Sequence, residues 1–167
     1  SSAASDVYKR QVFYSGPIDA WFGFSEGRLG YRTLDFLVEY HEGDYQGNAV
    51  INYSNQEVPW TRISEHKHFA AWESHKKTVI YKEYSRLSQD GDTPYYPIRL
   101  AKDKTQLATY VQKANSEKNT TFVGRLGTYR YLDMHVTIAE ALNIVDTYIN
   151  SVRNNYTMPS FVIDPLS

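Results

Sequence analysis

Residues 121–135 read TFVGRLGTYRYLDMH, and this stretch is the densest in candidate functional residues. A short strand is predicted before Gly124 and Arg125, a tyrosine-rich loop follows, and a helix is predicted from Asp133. Helix N-termini present unpaired N–H groups and a positive dipole end, so this junction suits a phosphate or an electron-rich ring. The alternative is that Asp133 is only a helix cap and Arg125 a surface charge.

The segments on either side predict an α+β chain. The helix from Asp133 to about Val152 carries apolar residues at helical spacing, which predicts one buried stripe. Its members are Ile138, Leu142, Val145, Ile149 and Val152. A second helix is predicted over Lys102–Lys118. Five strands are predicted at Val12–Tyr14, Leu29–Tyr40, Asn48–Tyr53, Thr61–Phe69 and Thr78–Tyr84, and the short turns between the later ones favour an antiparallel meander.

Composition and charge exclude several classes of function. The chain has 167 residues and a net charge of -1, so no basic surface is predicted for nucleic acid or an anionic membrane. No apolar run approaches the roughly 20 residues that span a bilayer, and the lack of cysteine excludes disulfides and thiolate metal sites. The predicted compartment is the cytoplasm. The 15 tyrosines are typical either of strand packing or of surfaces that bind sugars and phosphates.

Four further residues are candidates for chemistry. Arg62 follows a rigid turn at Pro59 and could hold diphosphate oxygens with its planar fork, although a surface salt bridge is commoner for a single arginine. His66 and His68 have a spacing that can ligate zinc, but without a third ligand nearby in sequence an ordinary strand face is favoured. Glu83 is a candidate acid. The chain carries no nucleophile or phosphate-loop motif, which favours a binding role or a cofactor-based reaction.

Seven stretches together resemble one family, the bacterial UDP-galactopyranose mutases. Each is weak alone, but they occur in the family's order and cover roughly Val12 to Asn150. They are Tyr14–Asp19, Tyr31–Leu34, Tyr45–Tyr53, Val58–Arg62, Glu65–Phe69, Pro94–Pro97 and Gly124–His135. Nothing matches the family's N-terminal FAD-binding motif or its helical lid domain, so the chain resembles the C-terminal portion only.

The resemblance implies an isomerase that interconverts UDP-galactopyranose and UDP-galactofuranose, the precursor used in cell-surface polysaccharides. Family members hold FAD, require its reduced form, and act through a covalent adduct between flavin N5 and galactose. The implied partner is UDP-galactose as a small-molecule substrate, with a homodimer as a possible assembly of the full-length protein. Because the chain would contain only part of the flavin pocket, we expect it to be inactive alone and to bind FAD weakly or not at all.

The resemblance also assigns roles to individual positions. Arg62, Glu83 and Asp133 would be catalytic, with Arg62 beside the flavin and the substrate diphosphate. Tyr96 and Tyr131 would bind the diphosphate together with Arg62. The residues expected to bind the cofactor are Gly124, Arg125, Tyr131, Asp133, Met134 and His135. No metal site is expected.

The expected domain organisation follows from the same comparison. A non-native or unstructured leader at 1–11 precedes a terminal strand of a Rossmann-like FAD-binding domain at 12–20. An antiparallel sheet domain for the substrate occupies 21–100, a helix-strand-helix segment at 101–152 returns to the FAD-binding domain, and 153–167 is a loosely attached tail. Two alternatives stay open: a fragment of an amine-oxidase-like flavin oxidoreductase, or a non-catalytic carbohydrate-binding β module.

Overall fold

The computed structural model describes residues 11–167, so the predicted leader, apart from Gln11, lies outside the described residues. The α+β fold is confirmed, and the chain divides into two compact units, residues 11–31 with 94–167 and residues 32–93. The elements in chain order are β1 (Val12–Tyr14), α1 (Ile18–Trp21), β2 (Tyr31–Glu42), β3 (Val50–Asn52), β4 (Arg62–Glu65), a 3-10 helix (His66–Phe69), β5 (Lys77–Leu87), β6 (Tyr96–Pro97), α2 (Ala101–Ser116), β7 (Thr120–Phe122), α3 (Gly124–Gly127) and α4 (Met134–Asn154).

The first unit is built on a two-stranded parallel sheet and helix α2. Strand β1 pairs in parallel with β7, so Tyr14 lies opposite Phe122 although more than a hundred positions separate them in sequence. The second predicted helix forms as α2, and its apolar side chains are buried because they pack against the aromatic residues of this sheet and of α1. The buried core consists of Ile18, Leu29, Tyr31, Leu107, Tyr110, Val111, Ala114, Phe122 and Tyr129.

The C-terminal segment packs against β7, whereas the sequence predicted a loose tail. The amide of Phe122 donates to the carbonyl of Ser160 at 2.8 Å, and the ring of Phe161 stacks on that of Phe122 with centroids 5.5 Å apart. Met158 is 7% exposed. The lack of helical periodicity therefore marks irregular structure in this segment, and its apolar side chains still join the core.

The second unit is formed by long antiparallel strands. Strands β2 and β5 pair over eleven residues, from Arg32 opposite Leu87 to Glu42 opposite Lys77, and the strands of this unit lie in the order β3-β4-β5-β2. The predicted meander is therefore wrong at β2, which pairs with β5 and not with β3. Strand β3 has only three residues, so pairing β2 with the much longer β5 forms far more backbone hydrogen bonds.

Two helical segments also differ from expectation. The predicted strand Thr61–Phe69 forms only over Arg62–Glu65, and the 3-10 helix begins at His66. Helix α4 forms where predicted, but its apolar stripe is exposed, with Leu142 at 63% and Val152 at 62%. Periodicity shows which face of a helix is apolar, but whether another element covers that face depends on the rest of the structure. None of the described helices has the length and apolar character needed to cross a bilayer.

Candidate functional site

Two predicted site residues, Arg62 and Glu83, lie beside two residues that were not predicted, Asn52 and Thr61, on neighbouring segments of the second unit. We call this group the sheet cluster: Asn52, Thr61, Arg62 and Glu83. Asn52 of β3 lies opposite Arg62 of β4, and Arg62 lies opposite Glu83 of β5. The Nε of Arg62 donates to Oδ1 of Asn52 at 3.0 Å, and its Nη1 is 3.8 Å from Oε2 of Glu83. The hydroxyl of Thr61 donates to Oε1 of Glu83 at 3.0 Å.

The guanidinium of Arg62 in the sheet cluster is accessible to solvent. The Arg62 side chain is 47% exposed, whereas that of Glu83 is only 14% exposed. Phe36 lies opposite Glu83 on β2 and is 46% exposed, and its ring lies edge-on to that of Tyr81 with centroids 6.4 Å apart. This face of the sheet therefore combines apolar ring surface with the exposed guanidinium of Arg62, an arrangement that can contact a flat ring and an anion.

The second group, which we call the junction cluster, lies in the first unit where β7 leads into α3 and α4. The guanidinium carbon of Arg125 is 5.0 Å from the centroid of the Tyr131 ring, and its Nη2 donates to the carbonyl of Leu132 at 2.6 Å. The ring of Tyr96 is edge-on to that of Tyr131, with centroids 6.1 Å apart. The structure thus brings Tyr96, Arg125 and Tyr131 together.

The junction cluster ends at the start of α4. Asp133 is the N-cap residue, but no side-chain hydrogen bond caps the helix there, and its backbone carbonyl accepts from the amide of Thr137 at 2.9 Å. Met134 is 80% exposed, and His135 is also exposed. The predicted junction has therefore formed, with the N-terminus of a 21-residue helix beside exposed polar and aromatic side chains. Such an N-terminus favours negative charge.

Gly124 is required at the junction by its backbone conformation. Its φ of +70° is a conformation that residues with a side chain rarely adopt, and the nearest heavy atom to a Cβ there would be that of Ser15, 3.9 Å away. The positive φ turns the chain from β7 into α3 and leaves open space beside the backbone. A ligand can approach the main chain closely at such a position.

The two histidines considered for zinc are not brought together. The ring of His66 packs on Tyr81, with centroids 4.5 Å apart, whereas Nε2 of His68 is 3.5 Å from both Asp44 and Glu65. The candidate ligand atoms of Asp44, Glu65 and His68 lie within 4.8 Å of one another. The ammonium group of Lys67 contacts the same carboxylate oxygen of Asp44, so the cluster already contains its own cation.

Glu65 is the buried member of the group formed by Asp44, Glu65 and His68. Its carboxylate is fully buried and accepts hydrogen bonds from the amides of Tyr45, Gln46 and Gly47 at 2.9 to 3.1 Å. Burial alone would raise the pKa of Glu65, but these bonds stabilise its ionised form and hold the pKa at about 2. The buried charge fixes the loop between β2 and β3.

Sequence reasoning missed Asn52 and Thr61 as partners of the candidate site. Asn52 lies within a predicted strand and Thr61 begins another, but the sequence assigns neither residue a role. The signal that could have found Asn52 is its exposed polar side chain in a strand of otherwise apolar residues, next to a strand that begins with an arginine. Only the register between β3 and β4, which places Asn52 opposite Arg62, identifies Asn52 as a partner of this site.

Comparison with known proteins adds a consistent set of relatives. The sequence profile of the family described as UDP-galactopyranose mutase matches residues 2–131. A probable UDP-galactopyranose mutase of Klebsiella pneumoniae is 59% identical over 152 residues, which are 91% of this chain and 40% of that protein. A dTDP-fucopyranose mutase of Escherichia coli is 50% identical over 141 residues, 84% of this chain and 37% of that protein.

A more distant relative gives the same result. A UDP-galactopyranose mutase of Mycoplasma pneumoniae is 33% identical over 146 residues, 83% of this chain and 36% of that protein. The chain therefore spans about two fifths of the length of the curated relatives it matches. All three relatives are named as sugar mutases.

Proposed function

The chain belongs to the UDP-galactopyranose mutase family, and from this premise we propose that the full-length protein carrying it is a flavin-dependent isomerase that interconverts UDP-galactopyranose and UDP-galactofuranose. The observation that supports this most directly is the sheet cluster. Its guanidinium is held in place on an exposed face of aromatic and aliphatic side chains. A nucleotide sugar and a flavin both combine flat rings with anionic oxygens, which suits this pairing of groups.

The junction cluster has the chemistry to hold part of a flavin cofactor. Gly124 leaves space beside its backbone, and the start of α4 offers amide donors and a positive dipole end. In this proposal FAD is bound by Gly124, Arg125, Tyr131 and the first residues of α4, Asp133 to His135. Arg125 would supply a positive charge beside the cofactor, since its guanidinium is already fixed by the carbonyl of Leu132.

The protein's part in the reaction is to bind, orient and balance charge. The reduced flavin, when bound, supplies the nucleophile for the anomeric carbon of the sugar, which agrees with the lack of nucleophile motifs in this chain. Arg62 stabilises the negative charge that develops as the bond from the sugar to the diphosphate breaks. The hydroxyls of Tyr96 and Tyr131 donate to the diphosphate. Glu83 acts through Arg62, which it holds by an ion pair.

A flavin assay on the full-length protein tests this proposal. With reduced flavin and UDP-galactofuranose, we expect chromatography to show UDP-galactopyranose forming without net consumption of reductant, and no product with oxidised flavin. Because one relative is a dTDP-fucopyranose mutase, the dTDP sugar is assayed in parallel. Activity with oxidised flavin, or stoichiometric consumption of a reductant, would contradict the mutase and support the oxidoreductase alternative.

Two further measurements separate the remaining possibilities. Arg62→Ala should lower turnover by about 100-fold, as loss of one charge-stabilising donor does in other enzymes. Arg86→Ala is the matched control, because Arg86 pairs with Asp35 and Asp92 outside the sheet cluster.

The chain alone, titrated with FAD, should bind weakly or not at all. If it binds sugars without flavin, the carbohydrate-binding module is the better description.

A further inference from the structure

The neutral side chain of Asn52 lies against the inner nitrogen of the Arg62 guanidinium. Both residues are at facing positions of β3 and β4, so their side chains emerge on the same side of the sheet. The Nε–H of Arg62 points at Oδ1 of Asn52 over 3.0 Å, a normal hydrogen-bond distance. This contact constrains the rotation of a long side chain that is otherwise 47% exposed.

Asn52 and Glu83 lie beside different nitrogens of the Arg62 guanidinium. Arginine offers five N–H donors in a fixed plane. Asn52 takes the single donor on Nε, and Glu83 lies beside Nη1 at 3.8 Å, which is an ion-pair distance but longer than a hydrogen bond. Among the described residues, the two N–H groups of Nη2 are therefore the donors that neither Asn52 nor Glu83 contacts, and they can donate to an anion.

From this geometry, and on the premise of the proposed function, we propose that Asn52 is a positioning residue that orients the guanidinium of Arg62 toward the anionic group of the substrate. An amide does so without adding negative charge, so the cation keeps its attraction for the diphosphate. Glu83 has a different role, because its carboxylate is tied to Thr61 and offsets part of the positive charge. Asn52 itself does not need to touch the substrate.

A double-mutant cycle in the full-length flavoprotein tests this proposal. The variants are Asn52→Ala, Arg62→Ala and the double variant, with flavin content measured in each. We expect Asn52→Ala to lower kcat/KM by about 10-fold in the wild-type background and to have almost no effect once Arg62 is already alanine, because residues that act as one unit are not additive. Asn48→Ala, an exposed asparagine before β3, is the matched control and should keep wild-type activity.

Each outcome of the cycle is decisive. If Asn52→Ala lowers kcat/KM equally in both backgrounds, Asn52 acts on the fold or on the substrate directly and not through Arg62. Unchanged activity in Asn52→Ala would also overturn the proposal. A wild-type protein that is inactive with reduced flavin and both nucleotide sugars would overturn the proposed function itself, which distinguishes that failure from a failure confined to Asn52.

Discussion

At the scale of single residues, the buried charge of Glu65 is the clearest determinant of local structure. Three backbone amides of the loop after β2 point at this one carboxylate, so the loop depends on a side chain about twenty positions away. Sequence reasoning placed Glu65 on one face of a strand with no particular role. The residue type was visible, but its partners are backbone groups, and only the folded chain brings them together.

Replacing this carboxylate should loosen the loop. In Glu65→Gln the side-chain amide nitrogen is a donor and cannot accept hydrogen bonds from the backbone amides that face it. We therefore expect a loss of about 2 kcal/mol in the free energy of unfolding. Urea unfolding of the chain measures the loss, and hydrogen exchange of Tyr45, Gln46 and Gly47 should accelerate. Glu73→Gln is the control, because Glu73 pairs with His75 at the surface. Equal changes in both variants would contradict the role given to Glu65.

The same residue sets a pH dependence. Because the folded-state pKa of Glu65 is about 2, below its ordinary value of 4.5, its contribution is fully present above about pH 4.5 and is lost as the pH falls toward 2. Glu65→Gln removes this titration, so the stability difference between wild type and variant should shrink in acid.

At the scale of elements, helix α4 shows that periodicity predicts a helix and its apolar face but does not predict whether that face is buried. The helix and its apolar face were predicted, and both formed. Burial of that face was predicted too, and this was wrong for the described chain, where Leu142 and Ile138 are 63% and 56% exposed. A helical repeat is a local property, whereas burial requires a second surface at the right distance.

This stripe should make the chain self-associate. Large exposed apolar patches promote association, so size-exclusion chromatography at rising concentration should show oligomers, and the dye ANS should bind. The double variant Ile138→Glu, Leu142→Glu should reduce both signals several-fold without loss of helix, because both positions are exposed. Asn143→Glu with Asn150→Glu adds the same charge beside the stripe and is the matched control. Equal effects in both pairs would show that charge alone matters.

At the scale of the whole molecule, the first unit joins distant parts of the chain. Strand β1 pairs with β7, and the C-terminal segment covers β7 through Phe161 and the carbonyl of Ser160. The prediction of a loosely attached tail at 153–167 rests on its two prolines and its lack of helical periodicity. Irregular backbone can still carry apolar side chains into a core, and sequence patterns do not report that.

The tail should therefore contribute to stability. Phe161→Ala removes a ring stacked on Phe122 and should cost about 2 kcal/mol, less than a fully buried phenylalanine because Phe161 is only partly buried. The midpoint of urea unfolding measures this. Leu166→Ala is the control in the same segment, since Leu166 is 46% exposed and should change stability by less than about 0.5 kcal/mol. If the two variants unfold alike, the tail does not stabilise β7.

The α+β class, the positions of most strands and helices, and the residue types at both candidate clusters could be predicted from local sequence patterns. These properties depend on local periodicity, turn residues and the chemistry of single side chains. Long-range packing sets the rest: β2 pairs with β5, Asn52 faces Arg62, Glu65 holds a distant loop, and the apolar stripe of α4 is exposed. Strand register and burial arise from contacts between distant segments, and no local pattern encodes which of those contacts has the lowest free energy.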